Sequence, residues 1–127
     1  MIYTGVDLIE IPRVAGVLER YPERFLHKVY TEGERRYCRR RPPQLAARFA
    51  AKEAVMKALG TGVRGVPWKS VEVVRMPGKA PEIVLHGQAL ARAELMGITR
   101  IALSLSHSRE FAVASVVAEA RDDAWKP

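Results

Sequence analysis

The 127-residue sequence predicts an α+β domain in which a mainly antiparallel sheet packs against helices. Three observations carry this prediction. Apolar residues recur at helical spacing through the first half of the chain, they alternate with period two at its start and in its second half, and Pro and Gly residues separate these stretches. Because the length is near that of one domain, we expect a single domain over residues 1–120 and a loose polar tail over residues 121–127.

The first half of the chain predicts a strand followed by helices. Residues 2–9 are mainly apolar and favour a strand, after which Pro12 opens a helix whose outward side carries basic residues. The Thr-x-x-Glu pattern at residues 31–34 is a capping box that starts a short helix toward the arginines at 39–41. An alanine-rich helix then follows over residues 44–59 and ends at Gly60.

The second half predicts two hairpins separated by a helix. Alternating apolar residues predict strands at residues 71–73 and 83–85, with a turn at 77–79, and again at 101–105 and 111–117. The helix between the two hairpins is predicted at residues 88–96. The order of elements is therefore strand, helices, hairpin, helix, hairpin, which is an α+β arrangement.

Composition narrows the class of protein and the classes of partner. Lys and Arg number 21 against 14 Asp and Glu, so the net charge of +7 favours anionic partners: nucleic acid, an acidic protein surface or a phosphate-rich small molecule. The single cysteine, Cys38, excludes an internal disulfide and is interpreted as a passive surface thiol. Without a secretion-signal pattern, and with no apolar run long enough to span a bilayer, we expect a cytoplasmic protein without a membrane partner.

The helix at residues 44–59 carries four charged residues in an environment that alanines and large apolar side chains otherwise fill. On a helical wheel Arg48 and Lys52 fall inside the apolar arc, while Glu53 and Lys57 lie at its border. Buried charges require partners, which are another side chain, a metal or a bound anion. A surface pair between Glu53 and Lys57 at i,i+4 explains the pattern equally well.

Asp7 interrupts the first apolar run, although strand interiors disfavour aspartate. It either caps the next element or faces a cation. In the second case Glu53 would join it, because Mg²⁺ bound to a phosphate-carrying substrate is typically held by one or two carboxylates from the protein.

Two further motifs lie near predicted loops. Residues 104–107, Ser-Leu-Ser-His, bring hydroxyls and His107 to a strand end, where they suit phosphate or hydroxyl contacts. Residues 60–65 satisfy Gly-x-Gly-x-x-Gly, but they follow a helix and precede a strand, which is the reverse of a dinucleotide fingerprint. We interpret them as a flexible loop whose backbone could approach a phosphate.

Three segments together closely resemble the holo-acyl-carrier-protein synthases of the 4′-phosphopantetheinyl transferase superfamily. These are GVDLIEIPR at residues 5–13, RFAAKEAVMKALGTG at residues 48–62 and SLSH at residues 104–107. The resemblance implies the 4′-phosphopantetheinyl transferase fold. It also implies transfer of the 4′-phosphopantetheine group of coenzyme A to a serine of an acidic acyl carrier protein, releasing adenosine 3′,5′-bisphosphate.

The same resemblance implies roles for individual residues. Asp7 and Glu53 would ligate Mg²⁺, Lys57 would bind phosphate, and either Glu53 or a water on the metal would take the serine proton. Arg48 and His107 would contact the nucleotide end of coenzyme A, including its 3′-phosphate, with Lys52 and Gly62 as neighbours. Arg13 would dock the carrier protein, and Arg20 and Arg24 on the same helix would extend that patch. Family members assemble as homotrimers with sites between subunits.

Two alternatives from other classes remain at this point. The basic balance and the arginines at 35–41 permit a nucleic-acid-binding module, although few aromatics and no recognised motif support it, and we expect no nucleic-acid partner. A noncatalytic adaptor for an acidic protein fits the same charge but leaves Asp7, Glu53 and Lys57 unexplained.

Overall fold

The structure is a computed structural model that describes all 127 residues. It contains five strands and five helices, and a short 3₁₀ turn at Trp68–Ser70 precedes β2. In chain order the elements are β1 (Ile2–Glu10), α1 (Ile11–Arg20), α2 (Pro22–Val29), α3 (Glu32–Cys38), α4 (Pro42–Leu59), β2 (Val71–Val74), β3 (Glu82–Leu85), α5 (Gly87–Leu95), β4 (Ile98–His107) and β5 (Phe111–Ala120).

Three of the strands form one antiparallel sheet in the order β1-β5-β4, and β2 pairs with β3 as a separate antiparallel hairpin. One face of the larger sheet packs on α4 and the other is exposed. The predicted α+β class, with an antiparallel sheet against helices, is confirmed.

Helix α4 is the centre of the molecule because small side chains let it approach the sheet closely. Its alanines face Ala112, Ala114 and Ala118 of β5, all of which are completely buried. Larger side chains, including Leu45, fill the space around this contact. Truncating one of these to alanine costs about 2–5 kcal/mol, since the packed interior relaxes only partly.

The first predicted helix is in fact two helices, which is a correction to the sequence prediction. Helix α1 ends at Arg20, Tyr21 adopts φ −136° and ψ 57°, and α2 begins at Pro22. Proline lacks an N–H and is well accepted in the first turn of a new helix, so Pro22 restarts the helix instead of continuing the old one. Arg24 therefore lies on α2, not on the helix of Arg13 and Arg20.

Helix α4 likewise begins at Pro42, two residues earlier than predicted, because a first-turn proline needs no hydrogen-bond partner. The last two strands extend beyond the predicted limits, to His107 and to Ala120.

Cys38 and the last seven residues also differ from their predictions. The Cys38 side chain is completely buried, and burial raises the pKa of its thiol to about 11, so this is an inert interior thiol. Residues 121–127 pack against the domain, beginning with a hydrogen bond from the Arg121 amide to the Gly97 carbonyl at 3.0 Å. No helix in the structure has both the length and the apolar character needed to cross a bilayer.

Candidate active site

Strand β1 lies against α4 at a distance that only glycine permits. A Cβ atom at Gly5 would stand 1.8 Å from the carbonyl oxygen of Ala54 and 3.1 Å from the amide nitrogen of Ala58. Any larger residue would push β1 and α4 apart. Because residues two apart share a face of a strand, Asp7 faces the same helix as Gly5.

This approach brings the three predicted catalytic residues together. Lys57 Nζ donates to the Val6 carbonyl oxygen at 2.9 Å and to Asp7 Oδ1 at 3.2 Å. Asp7 does not cap α1, since the residue at the start of that helix is Glu10. The expected surface pair between Glu53 and Lys57 is also not formed, because Lys57 pairs with Asp7 instead.

Glu53 is the electrostatic centre of this group. Burial and the nearby negative charge of Asp7 raise its pKa, while the ammonium of Lys57 opposes the shift. Two carboxylates share a site with one cationic side chain, so a second cation there is electrostatically favoured.

A cleft of about 570 Å³ opens beside these residues. Asp7 and Glu53 stand in its lining, Arg13 and Lys28 add positive charge, and the remaining wall is mainly apolar, with Phe49 and Trp68 stacked at 4.8 Å. Such a wall excludes water from one side of the carboxylates.

A second cleft, of about 290 Å³, contains the other predicted coenzyme A residues. Arg48 and His107 line it, and so does Arg75, which follows β2. None of its lining residues is Asp or Glu, and it shares no lining residue with the first cleft. Three basic side chains without an acid favour a polyanion.

Arg48 is the best-placed cation in this second cleft. Its relative exposure is only 5%, and its guanidinium carbon lies 4.4 Å from the centre of the Tyr37 ring. It forms no ion pair with any carboxylate. A buried guanidinium without an acid partner is suited to an anion from outside the fold.

The position of Lys52 differs from the expectation that it borders coenzyme A. Its ammonium is completely buried and donates to Glu34 Oε1 at 2.7 Å, to the Trp68 carbonyl at 3.1 Å and to the Val71 carbonyl. An ammonium has three N–H donors, so none remains for a ligand. Burial lowers the pKa of Lys52, and the charge of Glu34 opposes that shift.

The predicted carrier-docking arginines and Gly62 lie apart from Asp7 and Glu53. Arg13 lines the larger cleft on α1, whereas Arg20 at the end of α1 and Arg24 on α2 are exposed beside it. Gly62 is exposed in the loop after α4 and lines neither cleft.

Sequence reasoning missed Arg75, Tyr37 and Gln44, which all line the second cleft. Arg75 had a usable signal, since it directly follows a predicted strand, where loops project functional side chains. Tyr37 and Gln44 had none, because their contact with Arg48 and the β4 end depends on how helices α3 and α4 pack.

Comparison with known proteins identifies the family of the chain. The 4′-phosphopantetheinyl transferase superfamily matches residues 3–116, and the chain belongs to this family. The holo-[acyl-carrier-protein] synthase of Koribacter versatilis is 49% identical over 120 residues, which cover 91% of this chain and 96% of that protein. The enzyme of the same name from Gloeobacter violaceus is 52% identical over 116 residues, covering 88% of both.

Solved structures of the same family have the same fold. Helicobacter pylori holo-[acyl-carrier-protein] synthase in complex with coenzyme A superimposes with a TM-score of 0.83 at 29% identity, covering 94% of this chain and all of that one. The Neisseria meningitidis enzyme gives a TM-score of 0.83 at 34% identity, with 94% and 99% covered.

Proposed function

We propose that this chain transfers the 4′-phosphopantetheine group of coenzyme A to a serine of an apo-acyl carrier protein. The products are the holo-acyl carrier protein and adenosine 3′,5′-bisphosphate. The observation that carries the proposal is that Asp7 and Glu53 line one cleft and Lys57 is bonded to Asp7, in a chain whose relatives are holo-[acyl-carrier-protein] synthases along most of their length.

Asp7 and Glu53 are the residues that would hold Mg²⁺. No group of three or more His, Cys, Asp or Glu side chains in the chain is arranged to hold a metal. Mg²⁺ nevertheless fits two carboxylates, because it usually keeps waters and takes further oxygens from substrate phosphates. Burial and, after it, the negative charge of Asp7 raise the pKa of Glu53, and a divalent cation between the two carboxylates would relieve their repulsion. When bound, the ion supplies positive charge that stabilises the negative charge of the pyrophosphate.

Lys57 is proposed to bind the phosphates directly. Two of its three N–H groups are used by Val6 and Asp7, which orient the ammonium, and its side chain remains 54% exposed. One donor is therefore left for a phosphate oxygen, where it would stabilise the charge that develops in the transition state.

The reaction is a phosphoryl transfer from coenzyme A to the carrier serine. The carrier serine oxygen forms a bond to the phosphorus that bears pantetheine, and the bond from that phosphorus to the bridging pyrophosphate oxygen breaks. The bridging oxygen leaves with adenosine 3′,5′-bisphosphate. The serine proton passes to Glu53 or to a water beside it.

The second cleft is proposed to hold the nucleotide end of coenzyme A. Arg48 and His107 are retained from the sequence prediction, and Arg75 is added because it lines the same acid-free surface. Lys52 is left out, since Glu34 and two carbonyls already use its donors. The exposed cations Arg13, Arg20 and Arg24 are proposed to dock the acidic carrier protein beside the larger cleft.

We propose that the active assembly is a homotrimer with sites between subunits. The outer face of the β1-β5-β4 sheet exposes Ile2, Val6, Leu8 and Val117, an apolar surface that a monomer would leave in water. Moreover, Arg48 and Lys57 are nine positions apart on α4 and therefore point about 180° from one another. One chain thus presents its two half-sites on opposite sides of α4, which favours a site completed by a neighbouring chain.

Complementation tests this shared site. The Glu53→Gln and Arg48→Ala variants should each be nearly inactive, and trimers formed by co-expressing both should regain activity, because some interfaces combine an intact Glu53 with an intact Arg48. Trimers of either variant alone are the control. If the mixed trimers stay inactive while native mass spectrometry shows that they form, sites between subunits are excluded.

The transfer itself is tested by intact mass of a purified apo-acyl carrier protein after incubation with this chain, coenzyme A and Mg²⁺. A gain of one phosphopantetheine that needs both Mg²⁺ and Glu53 supports the proposal, and samples without metal or with Glu53→Gln are the controls. If the folded protein modifies none of several apo-carriers, the transfer proposal fails. Carrier binding without transfer would then favour the adaptor, and salt-sensitive DNA binding would favour a nucleic-acid module.

A further inference from the structure

Residues 121–127 follow the part of the chain that matches the family, residues 3–116, and they pack over one end of the domain. The Arg121 amide donates to the Gly97 carbonyl at 3.0 Å. Gly97 has φ +72°, and a Cβ atom there would stand 2.4 Å from Cβ of Ala124. Gly97 thus serves both the left-handed turn after α5 and the close contact with these last residues.

Arg92 of α5 connects these residues to the end of α4. Its guanidinium carbon lies 4.9 Å from the centre of the Trp125 ring, and its Nε donates to the Leu59 carbonyl oxygen at 2.9 Å. Leu59 is the last residue of α4, where unpaired carbonyls and the helix dipole favour a cation. Arg92 therefore caps the helix that carries Glu53 and Lys57.

Gly60 begins the loop at residues 60–65 and lies against Arg92 and Pro127. A Cβ atom at Gly60 would stand 3.5 Å from Arg92 Nη2 and 3.9 Å from Cγ of Pro127. The amides of Gly60 and Thr61 donate to the carbonyls of Lys57 and Met56 at 3.1 and 2.9 Å, which closes the last turn of α4. Beyond this turn nothing lies within 4 Å of a Cβ atom at Gly62, and the side chains of the loop are largely exposed. Arg92 therefore contacts the turn in which α4, two residues after Lys57, passes into the loop.

Trp125 is unusual in a segment that is otherwise polar and small. It remains 47% exposed, so core burial does not account for it. Its ring stacks on Arg92, and stacking restricts a guanidinium that would otherwise sample many rotamers.

We propose that Arg92 and Trp125 are positioning residues for the transfer reaction. Trp125 fixes the guanidinium of Arg92, and Arg92 holds the last carbonyl of α4. The pair thereby holds the last turn of α4, which contains Lys57, at the start of the glycine loop. This inference rests on the proposed function, in which Lys57 binds the phosphates of coenzyme A.

The test compares Trp125→Ala, Arg92→Ala and the double variant, with Trp125→Phe as the conservative replacement that keeps a stacking ring. Asp123→Ala is the matched control, because its exposed carboxylate contacts Arg121 and touches neither Arg92 nor α4. For each protein we would measure kcat, the KM for coenzyme A, the melting temperature and hydrogen exchange of the amides at residues 60–66.

Either alanine variant should raise the KM for coenzyme A by about three- to tenfold with kcat changed less than about twofold, in the range of a residue that acts through another. The double variant should be no worse than Arg92→Ala alone, because Trp125 acts through Arg92. Exchange at residues 60–66 should be faster in the alanine variants and near wild type in Trp125→Phe.

The proposal is overturned if the alanine variants lower the melting temperature while the KM and the loop exchange stay at wild-type values, since that describes a purely structural contact. It is also overturned if the two alanine effects on KM add. Failure of the wild-type chain to modify any apo-carrier would instead refute the proposed function, and unchanged exchange at residues 60–66 would separately refute the link between the tail and the loop.

Discussion

Lys52 and Lys57 lie five residues apart on α4 and have opposite environments. Lys52 is completely buried and its three donors are used by Glu34 and two main-chain carbonyls. Lys57 is 54% exposed and is held by the Val6 carbonyl and by Asp7, which lines the larger cleft. Both are basic residues of one helix, and both lie in the segment that resembles the family.

The difference shows that a buried charge and an available charge serve different purposes. Lys52 and Glu34 join α4 to α3, and Glu34 also accepts a hydrogen bond from the Val73 amide at 2.9 Å, which links both helices to β2. This cation stabilises the packing that shapes the site. Lys57, Arg48 and Arg75 lie where their charge can still meet an anion from outside.

Replacing Lys52 should give the largest loss of stability. The Lys52→Ala variant leaves the carboxylate of Glu34 buried without its cation, which should cost about 3–5 kcal/mol of unfolding free energy. Urea unfolding followed by circular dichroism measures this loss. Lys57→Ala is the matched control and should lose about 1 kcal/mol, because the Lys57 side chain is 54% exposed and water screens its pair with Asp7. Equal urea midpoints for the two variants would show that Lys52 contributes no more to stability than Lys57.

Replacing Lys57 should cause a large loss of activity at little cost in stability. Without its ammonium, Lys57→Ala should lower kcat for carrier modification by about 10²–10³-fold, as for other groups that stabilise transition-state charge. Mass spectrometry of the carrier over time gives the rate. Lys69→Ala, which removes an exposed lysine that lines neither cleft, is the control. Wild-type turnover in Lys57→Ala would contradict the proposed role.

Replacing Arg75 tests whether the second cleft binds the nucleotide end of coenzyme A. Arg75→Ala should raise the KM for coenzyme A by about tenfold, the range of one charge-assisted hydrogen bond, with kcat nearly unchanged. The effect should shrink with dephospho-coenzyme A, which lacks the 3′-phosphate. Arg36→Ala, on the exposed side of α3, is the control. An equal rise in KM for both substrates would place Arg75 elsewhere on the ligand.

Replacing Glu72, whose carboxylate bonds to Thr31 and His86, should give the smallest effect. Burial acts to raise the pKa of its carboxyl, but hydrogen bonds from Thr31 and His86 lower it overall, helped by the charge of Lys52. Because the folded pKa lies below the unfolded value of 4.5, the unfolded state binds more protons in this range. This contribution to stability is present above pH 4.5 and is lost as the pH falls through the folded pKa.

Urea midpoints on both sides of that range measure this loss, and the Glu72→Gln variant should show a weaker decline on acidification than the wild type. Glu82→Gln, at the exposed start of β3, is the control. If the urea midpoints of wild type and Glu72→Gln fall equally on acidification, the contribution of the Glu72 carboxylate to stability is contradicted.

Most elements of the fold were predictable because their signals are local. The capping box at Thr31 and Glu34 forms as expected, with the Glu34 amide donating to Thr31 Oγ1 at 3.2 Å and the Thr31 amide donating to Glu34 Oε1 at 2.9 Å. The hairpin of β2 and β3 and the end of α4 at Gly60 follow from turn and glycine signals in the same way. The break at Tyr21 was missed because helical spacing of apolar residues continues across it.

The site was only partly predictable, since side-chain partners depend on packing between distant segments. Asp7 and Glu53 were singled out by their mismatch with apolar surroundings, which is visible in the sequence. The partner of Lys52 was not visible, because Glu34 is 18 residues away on another helix. The contact between Arg92 and Trp125 was missed for the same reason.

The sequence alone therefore determined the fold class, most of the elements and the residues Asp7, Glu53 and Lys57 as a group, because periodicity, capping and motif spacing act within a few residues along the chain. Only the tertiary structure decided which charge on α4 is paired inside the fold, that Arg48 and Glu53 line different clefts, and that Arg92 joins the end of α4 to Trp125. Each of these depends on the close approach of segments far apart in sequence, such as Gly5 against Ala54, and no local pattern encodes that distance.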